Sequence, residues 1–243
     1  MAGVGMPASG LMMATPLQAT THQLHQQQEW VPSLIAKRIA SWKYIARVLQ
    51  GGTVLYNTAL VSENEMRQLW SEEKMQRRSL SFFFLGTSLA SILEIPNTID
   101  CIKALNQVLQ EYESFLAAEA RSKSIFSIRK GNTDLKPFEE TTEYSHLDVR
   151  NMPFNLDYVI TASTLCDMVG QVYEKLRLQL LHEHVWPLIT LEAFQKVDAR
   201  FKKILMMVYK EIEAVAREVM VQELNTMDPL GLSASTFNYD DFE

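Results

Sequence analysis

With 243 residues, 47% of them hydrophobic and 21% charged, the chain carries enough apolar material to bury a core as one large domain. Its formal charge of -6 and isoelectric point near 5.5 exclude the general surplus of Lys and Arg that non-specific nucleic-acid binding needs, so no nucleic acid is expected among its partners. Two cysteines, Cys101 and Cys166, each within an apolar stretch, are too few for a disulfide framework or, without histidine help, a structural zinc site.

The cysteines therefore read as small buried hydrophobes in a reducing compartment. The first 29 residues contain no Lys or Arg, and so lack the charged start of a secretory signal and the basic face of a mitochondrial presequence. The most apolar uncharged run, 79–93, includes Ser81, Thr87, Ser88 and Ser91 and is shorter than the ~20 apolar residues of a membrane span. The expected address of this soluble chain is the cytoplasm, with the nucleus open.

Residues 1–29 join Gly, Pro, Met and Thr to a polar His22-Gln23-Leu24-His25-Gln26-Gln27-Gln28 stretch. They offer too little periodic apolar surface to offset ordering entropy, and read as a disordered arm. From Pro32, whose fixed φ suits a helix start, Ile35, Ile39, Trp42, Ile45 and Leu49 mark one helical face that Gly51-Gly52 ends. Ser62 and Glu65 fit a capping box opening a second helix, charged at first and apolar nearly all round over 80–95, until Pro96.

Asn97 or Thr98 caps a third helix with a stripe of Ile99, Ile102, Leu105, Leu109, Tyr112 and Leu116. Residues 129–155, with Gly131, Pro137 and Pro153, show no period and form a long irregular connection. A fourth helix from about Leu156 places Ala162, Leu165, Val169, Val172, Leu176 and Leu180 on one face and ends before Pro187. The fifth carries Phe194, Val197, Phe201, Ile204, Val208, Ile212, Val215 and Val219 at a step close to 3.6. At about 1.5 to 3 kcal/mol per buried side chain, such a stripe represents on the order of 10 to 20 kcal/mol before ordering costs, and it must be covered. The fold expected is all-α, an antiparallel bundle of about five helices over 30–228, between the disordered arm 1–29 and a flexible acidic-aromatic tail, 229–243.

Signatures of chemistry are sparse. His182-Glu183-His184 is dense in potential ligands, but positions two apart on a helix diverge by about 200° and do not clasp one ion. Glu143 and His146 have the Glu-x-x-His spacing of di-iron bundles, without a second copy and within the irregular connection. With no phosphate loop, nucleophile elbow or His-Glu-x-x-His motif, no catalytic, metal-ligating or cofactor-binding residue is assigned, and neither an enzyme nor a cofactor is expected.

Binding features are better marked. The first helix carries Lys37, Arg38, Lys43 and Arg47, with no acidic residue between Val31 and Ser62. Lys43 and Arg47 fall opposite the apolar stripe, whereas Arg38 falls within it and needs a carboxylate partner or an interface. In the tail, Phe237, Tyr239, Asp240, Asp241 and Phe242 combine rings that fill pockets with charge that steers encounter. These eight residues, Arg38 to Phe242, are the candidate partner-binding positions.

The function expected is that of a non-enzymatic helical adaptor or subunit of a multiprotein complex, acting through other proteins. The alternative is a peripheral membrane or lipid-handling protein that sets the basic first helix and the apolar 82–95 region on an anionic surface. Helix 191–225 is long enough to homo-oligomerise as a coiled coil, although its step, and the move from Val208 to Ile212, suit a globular core better than a heptad. Ser81, three residues after Arg78, has the spacing basophilic kinases favour but lies where a helix enters the core and reads as a structural serine, while the hydroxyl-bearing connection 129–155 is the other segment where phosphorylation would fall.

Overall fold

A computed structural model describes residues 16–56, 59–70, 72–128, 144–183 and 186–227. The described residues form six helices: α1 (Pro16–Leu49), α2 (Glu63–Leu69), α3 (Glu72–Leu93), α4 (Thr98–Ile128), α5 (Tyr158–Glu183) and α6 (Leu188–Met227). Among the described residues there is no strand, only an isolated antiparallel pair between Leu55 and Ala59. The protein is an all-helical bundle, and the stripes read from the sequence supply most of its core: Ile35, Trp42, Ile45 and Leu49 of α1 and the eight apolar residues of α6 from Phe194 to Val219 are all buried, whereas Ile99, the first residue of the third stripe, is exposed.

Side-chain partners give the direction of each helix. Arg38 and Trp42 of α1 meet Asp198 and Phe201 of α6 in the same order, so these two run parallel. Tyr158 and Tyr173 of α5 meet Glu211 and Asp198 in reversed order, so α5 runs against α6. Phe84 faces Phe115, and Cys101 faces the Ile92 carbonyl, which sets α4 against α3. The long helices thus alternate in direction along the chain. In space α5 packs between α1 and α3, α4 lies against α3 and α6, and short α2 leans on α5 and α6.

Local chemistry explains several boundaries. Ser62 and Glu65 form the capping box: the Ser62 N–H donates to Glu65 Oε2 at 2.7 Å and the Glu65 N–H donates to Ser62 Oγ at 3.2 Å. Gly51, at φ +66°, turns the chain out of α1 while its N–H and that of Gly52 bond back to Val48 and Arg47. In α3 the hydroxyls of Ser79, Ser81 and Ser88 donate to carbonyls three or four residues back, which lets serines sit in the core. Ser81, a phosphorylation candidate by sequence, is only 1% exposed.

Two boundaries differ from the sequence reading. The expected second helix is two, because Trp70 leaves helical geometry at ψ 88° while its N–H still bonds Met66, and its ring stacks edge-on to Tyr158 at 4.6 Å. Burial of that ring outweighs helical continuity. The first helix begins at Pro16 rather than Pro32, so 16–29, assigned by composition to the arm, are helical. Pro32 sits inside α1 on its exposed side, where the carbonyl it leaves unbonded can face water. The rest of the arm, most of the irregular connection (129–143) and the tail lie outside the described residues.

Candidate functional site

Buried charge is the first place to look for chemistry. Arg38 of α1 grips Asp198 of α6 with two parallel hydrogen bonds, Nε to Oδ1 at 2.7 Å and Nη2 to Oδ2 at 2.8 Å. The side chains are only 18% and 10% exposed. The Tyr173 hydroxyl of α5 donates to the same Asp198 Oδ1 at 2.8 Å. The hydrogen bond to Asp198 raises the Arg38 pKa despite burial, while burial first, and the Asp198 charge second, push the Tyr173 phenol well above its ordinary range. Arg38 is thereby held charged and Tyr173 neutral, and Arg38 has the carboxylate that its place in the stripe called for.

A second group repeats the pattern thirteen residues further along α6. Glu211 accepts from Arg78 Nε at 3.1 Å and from the Tyr158 hydroxyl. Burial, then the Glu211 charge, likewise raise the Tyr158 pKa.

Glu111 of α4 does a different job. Its carboxylate accepts from Gln107 Nε2, from the N–H and hydroxyl of Ser145, and from the N–H groups of His146 and Leu147, all between 2.6 and 3.1 Å. Burial works to raise its pKa, but the hydrogen bonds from Ser145, Gln107, His146 and Leu147 prevail and bring it down to about 2. It pins the returning connection to the bundle. Ser145 and His146, part of the Glu-x-x-His spacing, therefore serve as anchors, while Glu143 lies outside the described residues.

Other polar groups tie helix ends together. Lys175 Nζ donates to the Leu93 carbonyl at 2.7 Å and to that of Ile95, Gln179 donates to the Pro96 carbonyl at 3.1 Å, and the Thr98 hydroxyl bonds Glu183. Glu183 of the His-Glu-His run is thus engaged across the bundle end, and His184 lies outside the described residues. Among the described residues no three His, Cys, Asp or Glu side chains gather as a metal site. Cys101 and Cys166 are buried and unbridged, and burial raises both thiol pKa values. A pocket of about 140 Å³ beside Trp70 and Tyr158 is lined by Arg67 and Asp157, which pair with each other.

The basic candidates on α1 are distributed differently from Arg38. Lys43 is exposed and sits 3.5 Å from Glu174 of α5, and Arg47 is exposed, its Nε donating to the Lys43 carbonyl at 3.3 Å. Phe237, Tyr239, Asp240, Asp241 and Phe242 lie outside the described residues.

What the sequence did not single out is an apolar end of the bundle. Leu181 at the end of α5 is 62% exposed, and Leu188 and Ile189 at the start of α6 are 69% and 75% exposed. Because α1 runs parallel to α6 with Arg38 level with Asp198, Trp30, 44% exposed, stands level with about residue 190. Thr98, bonded to Glu183, brings exposed Ile99 of α4 to the same end. Leu188 and Ile189, just before the first buried position of α6, were its only sequence trace. No family model matches the chain, and no curated protein or solved structure matches it either.

Proposed function

We propose that this helical protein is a non-enzymatic adaptor or subunit of a multiprotein complex, and that its apolar end is a contact surface for a partner protein. The observation that carries the reading is the exposure of Trp30, Leu181, Leu188 and Ile189, from three helices, at one level of the bundle. Apolar side chains gathered there lose water on association, at about 25 cal/mol for each Å² buried. The internal carboxylates support the same reading from the other side. Asp198, Glu211 and Glu111 are each engaged by structural partners.

The lipid alternative draws less support. Its apolar region is spent on the core, where Phe82, Phe84, Leu85, Leu89 and Ile92 are buried, and Lys43 on α1 already has a carboxylate neighbour. No helix among the described residues is long and apolar enough to cross a membrane. The α6 stripe that would have formed a coiled coil with a copy is likewise buried in the chain's own core. The compartment that accords with two buried, unbridged thiols is the cytoplasm or nucleus.

The test is affinity purification of the full chain from its own cells beside the Leu188→Glu/Ile189→Glu variant, with quantitative mass spectrometry. Both residues are exposed, so the fold should survive, as circular dichroism will check. A stoichiometric partner recovered with the wild type and reduced at least tenfold with the variant is expected. Equal recovery from both would remove the end surface from the reading, and no stoichiometric protein in either would remove the adaptor.

A further inference from the structure

Between α4 and α6 lies a slot of about 150 Å³, walled by Leu109, Tyr112 and Leu116 on one side and Ile204 and Met207 on the other. An apolar void of about that size accommodates a benzene ring. The slot, whose rim also holds Glu113 and Arg200, shares Lys203 and Met207 with an open depression of about 560 Å³ on the outer face of α6, where Lys202, Met206, Lys210 and Glu211 also lie.

Basic residues predominate on this face, and Glu211, which also lines the depression, is engaged by Arg78 and Tyr158. Between Asp198 and Glu211, α6 carries Arg200, Lys202, Lys203 and Lys210 and no acidic residue. Glu113 of α4 answers Arg200 and Lys203, whereas Lys202 and Lys210, both exposed, have no ion-pair partner among the described residues. An apolar hole for a ring beside unanswered ammonium groups fits a ligand segment that presents aromatics and carboxylates together.

The chain itself carries such a segment. Residues 237–243 read Phe-Asn-Tyr-Asp-Asp-Phe-Glu, and no Lys or Arg follows Arg217. We propose that this segment folds back onto the groove of its own chain, with one aromatic ring in the α4–α6 slot and Asp240, Asp241 and Glu243 against Lys202, Lys203 and Lys210. The reach suffices. From Met227 at the end of α6 back to Met207 is about 30 Å of helix. The ten residues 228–237 span up to about 35 Å when extended, and Tyr239 and Phe242 have more chain to spare. Tethering holds the segment at an effective concentration far above that of a free competitor. An acidic-aromatic segment of another protein must displace it to use the groove.

Zero-length carbodiimide coupling of the dilute full-length chain tests this, because it joins only carboxylates and amines already in contact. Coupled peptides are mapped in the monomer band by mass spectrometry. Bonds from Asp240, Asp241 or Glu243 to Lys202, Lys203 and Lys210 are expected at several times the yield to exposed Lys37 or Lys103. The triple variant Phe237→Ala/Tyr239→Ala/Phe242→Ala, which leaves every described core residue unchanged, is expected to lower that yield at least fivefold. An even spread over all lysines, or a yield indifferent to the triple variant, would overturn the proposal. Coupling confined to the dimer band would also overturn it and assign the groove to a second copy's tail. None of these outcomes depends on the apolar end, so this proposal and the adaptor reading fail separately.

Discussion

Asp198 is what makes Arg38 tolerable on a buried face. Asp198→Asn keeps an acceptor for Tyr173 but leaves the guanidinium without its counter-charge. Loss of one partner of a buried pair costs about 3 to 5 kcal/mol, and the partial exposure of this one brings the expected loss to about 2 to 3. Arg38→Met added to Asp198→Asn removes the stranded charge, so the double variant should be more stable than Asp198→Asn alone in urea denaturation. Simple addition of the two losses would show that the pair is not a unit. Glu111 gives a pH signature. Its folded pKa, about 2, lies below the ordinary 4.5, so its contribution is complete above 4.5 and is lost as pH falls from there towards 2. Glu111→Gln should cost about 2 to 4 kcal/mol at neutral pH, and its deficit against the wild type should shrink across that window. A deficit independent of pH would contradict the assignment of the charge to the N–H groups of 145–147.

At the scale of the helices, α2 has only seven residues and depends on its cap. Ser62→Ala should lower stability by about 1 kcal/mol, read as an earlier urea midpoint at unchanged slope, and no shift would mean that α2 contributes nothing to the cooperative unit. This capping box was legible from two residues three apart, as were the buried stripes of α1 and α6, because both signals are local and periodic. The need of Arg38 for a carboxylate was legible too. Which carboxylate was not: Asp198 lies 160 positions away, and nothing local distinguishes it from other acids. Glu111 had a weak local trace, standing at helical spacing from buried Val108 and Ala104. The break at Trp70 and the start of α1 at Pro16 were hidden for opposite reasons. Trp70 bends to reach Tyr158 in a helix 88 positions on, and 16–29 are helical without a stripe to announce it.

For the whole molecule, the decisive contrast is between a well-connected interior and an apolar end. Two Arg-carboxylate-Tyr groups lie along α6, and Glu111 and Lys175 fasten the connections, so the interior is committed to holding the fold. Trp30, Leu181, Leu188 and Ile189 are left facing water at one end, and in a complex they would be covered. The most direct measurement is the native size of the endogenous chain at its own concentration, by size-exclusion chromatography with calibrated light scattering or immunodetection of gently lysed cells. An adaptor or complex subunit should run well above the 27.8 kDa of the chain, and the Leu188→Glu/Ile189→Glu variant should shift towards that mass. A wild-type chain that runs alone at about 28 kDa would contradict the central claim.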